Sequence, residues 1–127
     1  MIEYTVKVDD SRTIWYLDGK LHREGDLPAV EFANGTKHWY VNGKLHREDD
    51  LPAIERKNGY KAWLVNDKRH RTNGAAIECS NGDKYWYLEG VSYSEEKYNE
   101  KINFKRESYD GKMVEIDGKK YKLVEMD

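Results

Sequence analysis

The feature that most constrains this chain is that it nearly repeats itself. The segment Trp39-Tyr40-Val41-Asn42-Gly43-Lys44-Leu45-His46-Arg47-Glu48 has a twin in Trp15-Tyr16-Leu17-Asp18-Gly19-Lys20-Leu21-His22-Arg23-Glu24. Trp63-Leu64-Val65-Asn66-Asp67-Lys68-Arg69-His70-Arg71-Thr72 is a worn copy, and Trp86-Tyr87-Leu88-Glu89-Gly90 is a fourth that breaks off early. The tryptophans stand 24, 24 and 23 residues apart. A unit of that length is one supersecondary element that buries its apolar face only against neighbouring copies. The chain therefore reads as an array.

Each unit carries two turn signals. Asn34-Gly35, Asn58-Gly59 and Asn81-Gly82 follow apolar runs, while Asn42-Gly43, Asn66-Asp67 and Glu89-Gly90 follow the tryptophans. Such pairs between β-rich runs predict hairpins. Strands are predicted over 3–8, 12–17, 29–32, 36–41, 44–48 and 53–56, with Asp49-Asp50-Leu51-Pro52 bending the chain. Val6, Val30, Ile54 and Ile77 each stand nine residues before a tryptophan, which makes about four units.

After Gly90 the pattern changes. A helix is predicted over about 94–105, started by Ser92 with Glu95 or by Ser94 with Glu95 and Glu96, and ended by Tyr109-Asp110-Gly111. A hairpin over about 112–126 follows, turning at Asp117-Gly118. The fold class expected is mainly all-β, an antiparallel sheet of stacked hairpin repeats over 1–91. Residues 92–127 form a cap that shields the last repeat's edge.

Composition narrows the function classes. Lys and Arg number 22 against 24 Asp and Glu, so the basic surplus that displaces counterions from nucleic acid is missing. No specific nucleic acid is expected. Cys79 is the single cysteine, which rules out an internal disulfide and fits a reducing compartment. The start of the chain lacks the pattern of a signal peptide, and no apolar run nears the roughly 20 residues of a spanning helix. A cytoplasmic protein is expected, with no membrane partner.

A residue present in every unit is most simply required by the unit. Trp15, Trp39, Trp63 and Trp86 are assigned to the core, with Leu17, Val41, Val65 and Leu88 two places on. Val6, Val30, Ile54 and Ile77 are expected on that same face. His22, His46 and His70 invite a zinc reading, but equivalent residues two strands apart lie about 10 Å from one another, too far to share one ion. No metal is expected; the histidines stabilise the bends through nearby carboxylates or backbone. Glu31, Glu55 and Glu78 are expected to pair with Arg23, Arg47 and Arg71. Alternation sends Tyr16, Tyr40, Leu64 and Tyr87 to the opposite face. The three tyrosines and the three arginines are the candidate partner-binding residues. No catalytic residue or cofactor is expected: Cys79 has no placed histidine partner, and no nucleophile, phosphate-loop or zinc-protease motif occurs.

Asn/Asp-Gly-Lys-x-His-Arg followed by Pro-Ala-Val/Ile-Glu, between Trp-Tyr and Asn-Gly, resembles the variant MORN-type repeats. Lys20-Leu21-His22 and Lys44-Leu45-His46 match the family's Gly-Lys-x-His segment. Arg23, Arg47 and Arg71 depart from it, standing where a glycine is usual, and the Asp-Leu-Pro insertion lengthens the bend. The resemblance spans roughly residues 4–90 and implies an antiparallel sheet of hairpins used as a binding surface. Similar variants occur in phages, large DNA viruses and bacteria. The function implied is non-enzymatic: a small phage-type protein that binds and inhibits a host defence protein. Two alternatives are a peripheral lipid-binding module and an array that self-assembles through its sheet edges.

Overall fold

The computed structural model describes residues 2–107 and 113–124. They are mainly β. The first two repeats contain β1 (Thr5–Val8), β2 (Arg12–Leu17), β3 (Lys20–Leu21), β4 (Val30–Phe32), β5 (Lys37–His38), β6 (Tyr40–Val41) and β7 (Lys44–Leu45). Then come β8 (Ile54–Glu55), β9 (Lys61–Ala62), β10 (Leu64–Val65), β11 (Lys68–Arg69), β12 (Ile77–Glu78), β13 (Lys84–Leu88) and β14 (Val91–Tyr93). Helix α1 (Glu95–Glu107) precedes the hairpin of β15 (Met113–Ile116) and β16 (Lys119–Lys122).

The chain divides into two compact units, Met1–Tyr93 and Ser94–Asp127. The division falls just past the expected boundary because Val91–Tyr93 pairs back onto β13. In the first unit an antiparallel meander runs β1-β2-β4-β5-β8-β9-β12-β13-β14, with β3 paired to the end of β2. β6 with β7, and β10 with β11, form separate ladders. The strand expected over 36–41 is therefore broken at Trp39, and its counterpart at Trp63. Trp39 still donates its amide to the Ala53 carbonyl at 2.8 Å. Beyond Trp39 the second half of the strand pairs with β7 instead. The strand expected over 44–48 is likewise only Lys44–Leu45, since His46 and Arg47 turn into the bend.

Two kinds of turn alternate. Asp18-Gly19, Asn42-Gly43, Asn66-Asp67 and Glu89-Gly90 all have positive φ at both positions, the two-residue turn whose twist suits a hairpin. At Asn34-Gly35, Asn58-Gly59 and Asn81-Gly82 only the glycine has positive φ, closing a three-residue loop. There each asparagine Oδ1 accepts an amide two residues on, at 2.9–3.0 Å. The first hairpin differs: Asp9 donates its amide to the Arg12 carbonyl, leaving a loop of two residues rather than three. That shifts its register by one, and a shift of one exchanges faces. Val6 pairs with Trp15, whereas Val30 pairs with His38, the residue before Trp39.

The register sorts the sheet into two rows. One runs Ile14, Val30, His38, Ile54, Ala62, Ile77, Tyr85. The other, on the opposite face, runs Thr13, Glu31, Lys37, Glu55, Lys61, Glu78, Lys84, so that from Glu31 onward each charge faces its opposite across the strands. The tryptophans lie on the charged face. Val30, Ile54 and Ile77 consequently lie opposite them, correcting the expectation of a shared face. Ala53, Ala62, Leu64 and Ile77 form the apolar cluster, with Leu45, Ile54, Tyr60, Cys79 and Tyr87 packed on it. Trp39 and Trp63 are buried and Trp15 and Trp86 half-buried, but Val41 is exposed. The cover on that face comes from an arginine and a bend that serve the tryptophan and not the residue two places on.

In the second unit Ser94 caps α1, its Oγ accepting the Lys97 amide at 3.2 Å, with Glu95 and Glu96 in the first turn. Tyr98 is buried and Ile102 half-buried, one helical turn apart. β15 and β16 turn at Asp117-Gly118, both at positive φ. The expected helix stop at 109–111, and residues 112, 125 and 126 of the expected hairpin, lie outside the described residues.

Candidate functional site

The repeated polar residues act between units. Arg47 lies flat over the Trp39 ring, 3.8 Å from guanidinium carbon to centroid; Arg71 does the same over Trp63 at 3.8 Å and Arg23 over Trp15 at 3.9 Å. Nη1 of each donates to the carbonyl of Pro28, Pro52 or Ala75, at 3.1 Å, and to Glu31, Glu55 or Glu78, at 2.6, 3.4 and 3.4 Å. The expected Arg–Glu pairs are present. Arg47 also reaches back to Asp26 of the preceding repeat, and Arg71 to Asp50, each through Nε at 2.9 Å. Those two aspartates accept the indole N–H of Trp39 and Trp63 on their backbone carbonyls, at 3.2 and 3.0 Å. Burial pushes the Asp50 carboxyl up, but hydrogen bonds from Arg71 and Asn73 and the Arg71 charge outweigh it and hold the pKa below the ordinary value.

The histidines link units forward. Nδ1 of His22, His46 and His70 accepts the amide of Asn42, Asn66 and Glu89, the first turn residue of the next repeat, at 3.0, 3.2 and 2.9 Å. Nε2 of His22 and His46 faces Glu24 and Glu48 at 3.1 and 2.6 Å. The bend role expected of them is thus extended: each ties its own bend to the neighbouring hairpin. With Nδ1 engaged in this way, that ring nitrogen is turned away from metal ligation.

The six candidate partner-binding residues are divided. Arg23, Arg47 and Arg71 belong to the tryptophan face, with side chains 12–17% exposed. Tyr16, Tyr40 and Tyr87 lie on the opposite face, half-buried, while Leu64 in the same row is buried. Around the tyrosines gather residues that the repeat pattern did not single out. Phe32 and His38 meet edge to face at 5.1 Å, and His38 lies 6.5 Å from Tyr40. Tyr60 is half-buried and Tyr85 is 48% exposed. Lys7 stands over Tyr16, Arg56 over Tyr60 and Arg69 over Tyr87, at 5.2, 4.2 and 5.6 Å.

This face is therefore aromatic with cations at its edges, supplied by different residues from those expected. Burial and the Arg56 charge lower the His38 pKa, favouring the neutral ring; burial and Asp67 raise that of Tyr40. The missed residues had a faint signal. Arg69 stands where the first two units have Leu21 and Leu45, in register with Leu64 rather than with a tyrosine.

Protein-family models, curated proteins and solved structures offer no match to this chain.

Proposed function

We propose that the chain is a non-catalytic binding protein, a variant MORN-type array that holds another protein against its aromatic face. The observation that carries this is the grouping of Tyr16, Tyr40, Tyr85 and Tyr87 with Phe32, His38 and Tyr60, under the cations of Lys7, Arg56 and Arg69. Large rings with two rotatable bonds offer contact area at small entropic cost, and Tyr and Arg are the residues most enriched in interface hot spots. On the opposite face Arg23, Arg47 and Arg71 are already engaged with Glu31, Glu55 and Glu78 and leave less to a partner. In its narrower form, which draws on the company the variant repeats keep, the partner is a host defence protein and the outcome of binding is its inhibition.

The test is capture of a partner by the tagged chain, compared with a variant carrying Tyr16→Ser, Tyr40→Ser and Tyr85→Ser. Tyr87 is left in place because it packs on the apolar cluster. The expected result is loss of the captured protein with circular dichroism unchanged, and inhibition of that protein's activity by the natural chain only. Undiminished capture by the variant contradicts the assignment of this face.

A further inference from the structure

The first repeat displays a joint without its counterpart. At the two internal joints one aspartate serves two neighbours. Its carbonyl takes an indole N–H, and its carboxylate takes an arginine fork, Asp26 with Arg47 at 2.9 and 3.3 Å and Asp50 with Arg71 at 2.9 and 3.4 Å. Both aspartates sit at φ +56°, a conformation that Asp and Asn tolerate better than other side chains. Ile2 stands 24 residues before Asp26, so the pattern brings no aspartate to Trp15 and Arg23.

The deficit is visible in the hydrogen bonds. Trp15 Nε1 is the one buried side-chain nitrogen or oxygen among the described residues without a partner. Arg23 bonds through Nη1 alone, and its Nε and Nη2 have no partner among the described residues. Tyr4 covers the place in part, its ring edge-on to Trp15 at 5.6 Å and its hydroxyl accepting the Glu24 amide at 3.0 Å. Alongside, β1 is exposed along its whole length.

We propose that this end is a docking site for an acidic turn of a partner protein. An aspartate at positive φ takes the Trp15 N–H on its carbonyl and the free Arg23 donors on its carboxylate, and Tyr4 moves aside. The occupant is defined by the chain's own two joints and by charge complementarity with Arg23. A second copy supplies the chemistry less well: its last bend carries Asn73-Gly74, and Asn73 already donates to Asp50 at 3.0 Å. This site is separate from the aromatic face and stands or falls without it.

The probe is a cyclised peptide of residues 23–29, the chain's own Asp26 bend, titrated to millimolar concentration into the isotope-labelled full chain. The four indole N–H resonances are followed by NMR. The expected result is a saturable shift of the Trp15 resonance, lost when the peptide carries Asp26→Ala. The Tyr4→Ala chain is expected to bind about tenfold tighter, because the competing latch is gone. Should Tyr4→Ala lose its dispersed spectrum, Tyr4→Phe, which removes only the Glu24 bond, takes its place with a smaller gain. No shift, or an equal shift with the Asp26→Ala peptide, overturns the proposal. A Trp15 shift that tracks protein concentration without peptide, with self-association in sedimentation, gives the end to a second copy and also overturns it.

Discussion

Arg47 shows how much one repeated residue does. It stacks on its own tryptophan, holds the bend carbonyl of Pro52, and forks onto Asp26 of the preceding unit. Arg47→Ala is expected to destabilise the fold by about 2–4 kcal/mol, since a cation–π contact and several charged hydrogen bonds go together. Arg47→Lys keeps the charge but neither the flat ring contact nor the fork, and roughly 1–2 kcal/mol is still lost; urea unfolding measures both. Acid acts through other side chains, His38 and Asp50 among them. His38 has a lowered pKa in the fold, so its contribution is complete above about 6.5, the ordinary histidine value, and is lost as pH falls below it. His38→Gln is expected to remove that part of the acid sensitivity in thermal melts. Asp50, also lowered, acts in a separate window: its contribution is present above 3.8 and lost as pH falls through the still lower folded value.

At the scale of hairpins, position 67 separates two effects. Asp67 occupies a positive-φ turn position, φ +69°, that glycine holds in three other repeats, and its carboxylate accepts the Leu45 amide at 2.7 Å. Asp67→Gly relieves the backbone but loses the bond, so stability is expected to stay within about 0.5 kcal/mol. Asp67→Ala loses the bond and keeps the strain, and about 1–2 kcal/mol is expected to go; melting curves of the two variants tell them apart. The turns were legible in the sequence because Asn-Gly and Asp-Gly announce themselves chemically. The break at Trp39 was not, because alternation through His38, Trp39 and Tyr40 looks the same whether or not the pairing partner changes. The face of Val30, Ile54 and Ile77 is hidden in the sequence for a related reason. A turn of two residues and one of three give the same apparent spacing but opposite pairings, and among the hairpins that lead into a tryptophan only the first has the shorter one.

In the array as a whole, the repeated joints and the proposed binding surface separate onto two faces. Trp, Arg, Asp and His recur because each junction needs them, so repetition in the sequence was a sound guide to the joints. It was a poorer guide to the surface. Alternation puts Tyr16, Tyr40 and Tyr87 on the face opposite the tryptophans, where the structure has them, whereas Phe32, His38, Tyr60 and Tyr85 join them through register that no single segment encodes. Arg23, Arg47 and Arg71 are near the tyrosines in sequence but stack on the tryptophans of the other face. Linked in this way, the repeats are expected to unfold together rather than one at a time. That adjacent units are joined through aspartate, arginine and tryptophan is tested most directly by a double-mutant cycle of Asp26→Ala and Arg47→Ala in urea unfolding. A coupling of about 1 kcal/mol or more is predicted. Strictly additive losses would contradict it.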